Sequence, residues 1–409
     1  MLLTIIAFGY FLILFALCFV YQKDIKNIGN FMLGWYLFSL FNAIFVVDPK
    51  FNYSISATFY FLITLTFWLL PAITFNQKKN KNIKRVNVWL FNFISKIFIF
   101  LGISCYLFFI PVIVSIISLG LSIKGVRGEI AGGEVFYQDD SIIYYVLTLY
   151  CQFFPIVIAF YFYSIAFLDK SKIFNNLLLF SSTGYIVNVL ASLGRSGLVY
   201  WPLMFLFIYT LFRSHLNLEN RLRTFNIIKK IGLTIMLPIL SIITYDRFAA
   251  DNEDGAFVNS ILIYFGEQFG NFNLFFNLYQ PTGGLKKLFP ITEIGREKII
   301  PIDEAKMSML YYGVDGNVFS TFIGDFIKLI DKLNLFIFSI IYGSVCSFYF
   351  RVKETISFGK VLLLILLCQI PLTGIFFYDY SYVVSNIYMI IVLILGVIFS
   401  NNYVLFKSK

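Results

Sequence analysis

Apolar segments long enough to cross a membrane follow one another along almost the whole chain. A helix needs roughly 20 residues to span the hydrocarbon core, and these segments lack the alternation of β-barrel strands. With 59% hydrophobic and only 13% charged residues and a mean hydropathy of +0.82, the chain is too apolar for a soluble domain. The sequence therefore predicts an all-α, polytopic integral membrane protein.

We predict about eleven transmembrane helices. They lie near residues 2–20, 29–47, 54–75, 88–119, 142–167, 176–193, 198–212, 231–245, 333–350, 358–377 and 382–400. The fourth is longer than one crossing requires, which predicts a tilt or a helical extension outside the bilayer. The first lacks a positive n-region and a small-residue cleavage site, so we interpret it as a retained span.

Basic residues in the connections predict the orientation. One side of the membrane carries Lys23, Lys26, Lys78, Lys79, Lys81, Lys84, Arg85, Lys170, Lys172, Arg213, Arg221, Arg223, Lys229, Lys230, Arg351, Lys353, Lys407 and Lys409, whereas the short connections on the other side carry Lys50, Lys124, Arg127 and Arg195. The positive-inside rule makes the first side cytoplasmic, with the N-terminus outside and the C-terminus inside. Topology and anionic headgroups account for the net charge of +10, so no nucleic-acid partner is expected.

A hydrophilic stretch, residues 246–332, separates the predicted eighth and ninth spans. It holds twelve of the chain's 22 acidic and eight of its 32 basic residues. We treat residues 1–409 as a single transmembrane domain and 246–332 as an extracytoplasmic loop subdomain inserted in it. A pure transporter rarely needs such a loop.

The positions of cysteine and histidine restrict the chemistry. All five cysteines fall inside predicted spans, and the single histidine, His215, lies in a cytoplasmic connection. A disulfide framework, a metal site and a nucleophilic triad are therefore not expected, and without a GxxxxGK[ST] loop neither is a nucleotide-driven activity. Outward catalysis would use carboxylates, arginines, lysines, tyrosines and backbone amides, without metal or cofactor.

Two arginines are predicted at the outer membrane surface. Arg195 lies between Gly194 and Gly197 in a tight connection, and Arg247 begins the long loop beside Asp246. A guanidinium can pair with two phosphate oxygens, and glycines let backbone N–H groups approach an anion. The alternatives are a boundary arginine at residue 195 and, at residue 247, a snorkelling side chain with a local partner.

A polar stripe precedes Arg195 on the sixth span. Its members recur every three or four residues and are Ser181, Tyr185, Asn188 and Ser192. Such a stripe would not face lipid. It predicts either a groove descending from the outer surface or hydrogen bonding between helices.

Three carboxylates in the loop are candidate catalytic bases. Glu267 lies in the run from Tyr264 to Asn273, where rings and amides suit a sugar, although an amphipathic segment on the membrane surface would look the same. Asp315 and Asp325 lie towards the end of the loop, near the predicted ninth span.

This organisation resembles the Wzy-type polymerases of bacterial O-antigen and capsule repeat units. The likeness extends over nearly the full chain and includes the span opened by residues 194–197, Arg247 at the start of a large outward loop, and the run Gly316-Asn317-Val318-Phe319-Ser320-Thr321-Phe322 near its end. The outward histidine of the related ligases is missing, and the spaced Arg and Gly motifs of some polymerases do not map cleanly.

The resemblance implies a GT-C-like fold and a metal-independent, inverting glycosyltransferase on the periplasmic face of the bacterial inner membrane. Its donor and acceptor would be oligosaccharides on undecaprenyl diphosphate, membrane lipid would surround it, and a chain-length regulator is a candidate further partner. Arg195 and Arg247 would bind the diphosphate, and Glu267, Asp315 or Asp325 would take the acceptor proton.

Two other functions stay open. A flippase or transporter of lipid-linked oligosaccharides predicts an internal repeat and charges inside the spans, whereas the sequence shows no repeat and only Lys96 well inside a predicted span. An envelope glycan ligase or acyltransferase is disfavoured by the absence of an outward histidine.

Overall fold

The computed structural model describes residues 1–46, 51, 53–77, 82–118, 141–168, 170–192, 194, 196–232, 234, 238, 241, 256–278, 288–293, 319–351, 355–378 and 380–401. The helices within these ranges are α1 (Leu2–Gln22), α2 (Ile28–Phe45), α3 (Ile55–Thr74), α4 (Val88–Ser118), α5 (Ile142–Gln152), α6 (Phe154–Phe167), α7 (Lys172–Ser182), α8 (Gly184–Ala191), α9 (Ser196–Phe212), α10 (Leu218–Ile231), α11 (Ala256–Leu278), α12 (Thr321–Leu329), α13 (Lys332–Tyr349), α14 (Phe358–Thr373) and α15 (Val383–Asn401). Short 3-10 turns occupy Arg213–His215 and Pro290–Glu293, and two-residue strands, β1 and β2, occupy Asn82–Ile83 and Thr355–Ile356.

The described helices confirm an all-α, multi-pass membrane protein. Eight stretches of the described residues are long and apolar enough to cross a membrane. In this count α7 and α8 form one stretch (Lys172–Ala191), and α9 and its 3-10 turn form another (Ser196–His215). The bent pair α5 and α6 makes a ninth if it is counted as one span. The predicted span at 358–377 corresponds to the shorter apolar helix α14. The predicted span at 231–245 lies mostly outside the described residues, so eleven crossings and a GT-C arrangement stay predictions.

A bend of 54° separates α5 from α6 at Phe153. Pro155 explains the break, because proline lacks the N–H that would bond to the carbonyl of Cys151 and its ring would clash with that carbonyl. The Phe153 N–H instead bonds back to Tyr150 O at 2.8 Å. Proline is tolerated in the first turn of α6, where an N–H would have no helical partner.

The helices form two compact units. The first comprises Met1–Asn82, Val258–Ile356 and Leu363–Leu393, and the second comprises Ile83–Phe257, Ser357–Leu362 and Ile394–Lys409. Most of the predicted loop subdomain, residues 246–332, therefore falls within the sequence range of the first unit.

In the first unit, α13 packs along α3. Gly343 makes the close approach possible, since a Cβ at this position would collide with Phe67 O of α3. Trp68 of α3 stacks on Tyr342 at 4.0 Å between ring centroids. Before α13, the carboxylate of Asp331 caps the helix by accepting the Asn334 N–H at 2.9 Å, and this bond keeps the pKa of Asp331 below its ordinary value.

In the second unit, aromatic rings fill the interior. Phe160 of α6 is fully buried, and its ring centroid lies 4.8 to 5.5 Å from those of Phe91, Phe98, Phe358 and Phe399. Edge-to-face and stacked contacts of this kind add about 0.5–1.5 kcal/mol each to the burial of apolar area. Since lipid is as apolar as these rings, such packing holds the helices together where the hydrophobic effect does not.

The polar stripe of the sixth span faces other helices of the second unit. The Ser181 carbonyl accepts the Tyr150 hydroxyl at 2.9 Å, and the Tyr185 ring stacks on Phe154 at 4.2 Å. The helix carrying the stripe is interrupted at Thr183, between α7 and α8. At the C-terminal end of the stripe, Ser192 is exposed and its hydroxyl donates to Val189 O. Interhelical contact accounts for the buried part of the stripe.

Two of the five cysteines meet in the second unit. Cys105 of α4 and Cys151 of α5 are both buried, and their sulfur atoms lie 3.6 Å apart as free thiols. The sequence separates them by 46 residues, so their proximity follows from the packing of α4 and α5 alone.

Candidate functional site

The run from Tyr264 to Asn273, predicted as a sugar-binding or surface segment, belongs to α11 and packs inside the first unit. A Cβ on Gly266 would lie 2.8 Å from the backbone of α2 at Ala43. The rings of Phe269 and Phe272 lie 5.3 and 4.9 Å from that of Phe61 on α3. These aromatic side chains therefore fill the space between helices.

Helix α12 is short and completely enclosed. All nine of its residues are buried, and nine residues extend only about 14 Å, too little to cross a membrane. Phe322 and Phe326 contact the Trp68 ring at centroid distances of 5.2 and 5.5 Å. Trp68 lies thirteen residues after Ile55, about 20 Å along α3, so α12 reaches deep into the helical unit.

The N-terminus of α12 is held by the turn that follows α14. Ser320 and Thr321 donate their N–H groups to Phe376 O at 3.2 and 3.1 Å, and Phe322 donates to Gly374 O at 2.7 Å. Non-helical backbone at this depth is tolerated only where protein or a polar cavity satisfies it, and these three bonds do so.

Thr321, the first residue of α12, has a strained backbone. Its φ of +67° lies in the left-handed region, which costs a β-branched residue about 1–2 kcal/mol. The bonds to Phe376 and the acceptance of the Gly324 N–H by Thr321 Oγ1 at 3.4 Å hold this conformation. Strain of this kind persists where the surroundings determine the backbone, often at functional sites.

A buried charge cluster lies immediately beyond this strained residue. We define it as Ser320, Asp325, Lys328 and the backbone amide of Tyr378. Lys328 Nζ lies 2.7 Å from Asp325 Oδ1, which Ser320 Oγ approaches at 3.4 Å, and Tyr378 N donates to Asp325 Oδ2 at 2.6 Å. The lysine and aspartate side chains are only 1% and 6% exposed.

Local sequence explains why both charges point to the same place. Asp325 and Lys328 are three residues apart, so they lie on one face of α12. Removing two ions from water costs several kcal/mol each, and only good geometry with additional hydrogen bonds offsets that cost. Charged residues inside membrane helices are rare and commonly mark a functional site.

Helix α11 packs against α12 and against Phe319 just before it, so the two segments that flank the polar residues 279–318 lie together. Asn271 Nδ2 of α11 donates to Phe319 O at 2.8 Å, and the Tyr264 ring lies 5.3 Å from that of Phe319. Lys328 Nζ lies 4.5 Å from the Phe275 ring centroid, a cation–π contact. Both ends of the polar stretch are thus anchored in one helical unit.

The predicted site residues fall into two groups. Glu267 is half-buried on α11. It lies four residues, about one turn, before Asn271 and therefore on the same face of the helix. Asp325 is enclosed in the buried charge cluster. Arg195, Arg247 and Asp315 lie outside the described residues, so the expected pairing of the two arginines and the position of the third carboxylate stay predictions.

Sequence reasoning missed the other members of the buried charge cluster. Lys328 carries a usable signal, because an Asp-x-x-Lys pair in the otherwise apolar run from Thr321 to Leu329 predicts an intrahelical ion pair. The contribution of the Tyr378 amide could not be foreseen, since it depends on the turn after α14.

The buried charge cluster suits positioning better than proton transfer. Both carboxylate oxygens of Asp325 already accept hydrogen bonds, whereas half-buried Glu267 is nearer to the surface of the unit.

Comparison of this chain with protein-family models, with curated proteins and with solved structures finds no match.

Proposed function

We propose that this chain is a metal-independent glycosyltransferase that joins undecaprenyl-diphosphate-linked repeat units at the outer face of the bacterial inner membrane. The packing of α11 on α12 carries the proposal. These helices bring two candidate carboxylates and both ends of the polar residues 279–318 into one membrane-embedded unit. A reaction between two lipid-held substrates gains from such a fixed, membrane-level site, because orientation replaces random encounter.

Each of the five candidate site residues has a role in the proposed reaction. Arg195 and Arg247 stabilise the negative charge that develops on the leaving diphosphate. Glu267 accepts the proton of the attacking sugar hydroxyl, and Asp315 is the alternative base. Asp325 positions the start of α12 and thereby the polar stretch before it.

Glycan length in cells tests the proposal. A strain lacking this chain is complemented with the wild type or with Arg195→Ala, Arg247→Ala or Glu267→Gln, and surface glycan is separated on gels. We expect single repeat units from the variants and a ladder from the wild type. Arg213→Ala, on the predicted cytoplasmic side, is the matched control and should keep the ladder.

Lysine substitutions refine the test of the arginines. Lysine retains the charge but not the planar fork, so Arg195→Lys and Arg247→Lys should restore little elongation if the guanidinium binds phosphate in a bidentate manner. Ladders of normal length from both alanine variants would refute the assignment, provided that immunoblots show equal amounts of protein in the membrane.

A second candidate function, transport of a lipid-linked oligosaccharide, is favoured by one specific observation. The ion pair between Asp325 and Lys328 lies on a short, enclosed helix, and transporters build their sites from broken helices and intramembrane charges. The deletion strain separates the two functions. Loss of a polymerase leaves single repeat units on the cell surface, whereas loss of the transporter leaves none.

A further inference from the structure

Helix α10 differs in composition from the helices around it. Its fourteen residues extend about 21 Å and include Arg221, Arg223, Lys229 and Lys230, so it is too polar to span a membrane. It begins three residues after His215, where the apolar stretch of α9 and its 3-10 turn ends. The helix therefore follows directly from a candidate transmembrane segment.

One face of α10 is fixed to the rest of the second unit. Asn220 Nδ2 donates to Ile165 O of α6 at 3.1 Å, Thr224 is fully buried, and Arg223 bonds to Asn176 of α7. Asn220 and Thr224 are four residues apart and so lie on the same face. These contacts determine which face of the helix is left outward.

The outward face carries large apolar side chains. Leu218, Leu222 and Phe225 are 70%, 56% and 63% exposed, and their spacing of four and three residues aligns them in one stripe. Lys229, four residues after Phe225, lies on the same face and is exposed, and Lys230 is exposed beside it. The face thus combines an apolar stripe with two lysines at its C-terminal end, and the exposed Glu219 lies beside its first turn.

We propose that α10 is an interfacial helix that binds the anionic phospholipid surface of the membrane in which the neighbouring spans lie. Leu218, Leu222 and Phe225 insert at the boundary between headgroups and acyl chains, and Lys229 and Lys230 pair with headgroup phosphates. The apolar stripe, the flanking lysines and the short connection to a candidate span are the combination expected of such a helix. The proposal is independent of the proposed glycosyl transfer.

Hydrogen exchange on the full-length protein tests this binding. The protein is placed in nanodiscs of phosphatidylcholine alone or mixed with phosphatidylglycerol, and amide exchange is measured for peptides covering 218–231. We expect slower exchange in the anionic nanodiscs, with less of the difference at high salt because exposed charges are screened. Peptides from buried α6 serve as the internal reference for intact folding.

Paired variants assign the effect to the stripe and to the lysines. Each basic residue near an anionic surface contributes about a fivefold gain in binding. Lys229→Gln combined with Lys230→Gln should therefore reduce the lipid-dependent protection by up to about thirtyfold. Leu222→Ser with Phe225→Ser should remove protection in both lipids. Lys172→Gln, an exposed lysine on α7, is the matched control and should leave 218–231 unchanged.

Three outcomes would overturn the proposal. The first is equal exchange of 218–231 in both lipids at low salt, and the second is full protection in the double lysine variant. The third is protection that appears together with a dimer mass on native mass spectrometry and is lost on dilution, because the stripe would then bind a second copy of the chain.

Discussion

Replacing Lys328 by methionine removes the cation that faces Asp325 while keeping a side chain of similar length. Among the described residues, the carboxylate then keeps the Ser320 hydroxyl and the Tyr378 amide as its partners. Breaking a buried ion pair in this way typically costs about 3–5 kcal/mol, because one charge is left uncompensated. We therefore expect Lys328→Met to lower the free energy of unfolding by about that amount.

Removing both charges should be far less harmful. In the double variant Asp325→Asn, Lys328→Met, the amide oxygen of residue 325 can still accept the Tyr378 N–H, and its NH2 group can donate to Ser320 Oγ. Replacing a buried pair by neutral groups is often nearly neutral. The double variant should accordingly recover at least about 2 kcal/mol relative to Lys328→Met.

Titration with dodecyl sulfate in mixed micelles measures these differences. Intrinsic tryptophan fluorescence is a suitable signal because the Trp68 ring lies beside Phe322 and Phe326 of α12. Lys332→Met is the matched control. Lys332 contacts the Phe276 ring at 4.4 Å and is only partly buried, so its loss should cost less than about 1 kcal/mol. The reasoning is refuted if Lys328→Met costs no more than this control, or if the double variant is less stable than either single variant.

Three further predictions concern a close helix contact, a pair of cysteines and a helix cap. Gly343→Ala should destabilise the first unit by about 1–3 kcal/mol, because the added methyl group meets the facing carbonyl of α3. Gly9→Ala is the control and should not destabilise it, because no atom lies within 4 Å of the new Cβ. Unfolding titrations would measure both effects. A membrane-permeant oxidant should join Cys105 to Cys151, detected by mass spectrometry of linked peptides, and no such link would mean that α4 and α5 do not pack as described. Asp331→Ala should lower the free energy of unfolding by about 1 kcal/mol. Because folding lowers the pKa of this carboxyl, its stabilisation is present above its ordinary pKa and is lost as the pH falls through the lowered value. Unfolding titrations at several pH values would measure this loss.

Most of the transmembrane helices could be predicted because length and apolarity alone define a span. The bounds of α1 and α3 agree with the predicted 2–20 and 54–75 to within two residues. The bend at Phe153 also has a sequence signal in Pro155, although the prediction treated 142–167 as one continuous span.

Helices α11 and α12 could not be placed from the sequence, because their polarity resembles that of a loop. Gly266, Asn271 and Asn273 lower the hydropathy of α11, yet the glycine permits close packing and both asparagines hydrogen-bond within the unit. Asp325 likewise made α12 look like part of an outward segment. Hydropathy counts Asp325 and Lys328 as two separate polar residues and does not record the ion pair by which they compensate each other.

The bend between α5 and α6 also bears on bilayer thickness. Drawn straight, the 26 residues from Ile142 to Phe167 would measure about 39 Å, well beyond a hydrocarbon layer of about 30 Å. If α6 stood along the membrane normal, the 54° bend would incline α5 and limit the rise of the pair to about 31 Å. In that orientation an apolar run too long for the membrane would fit it without stretching the surrounding lipid.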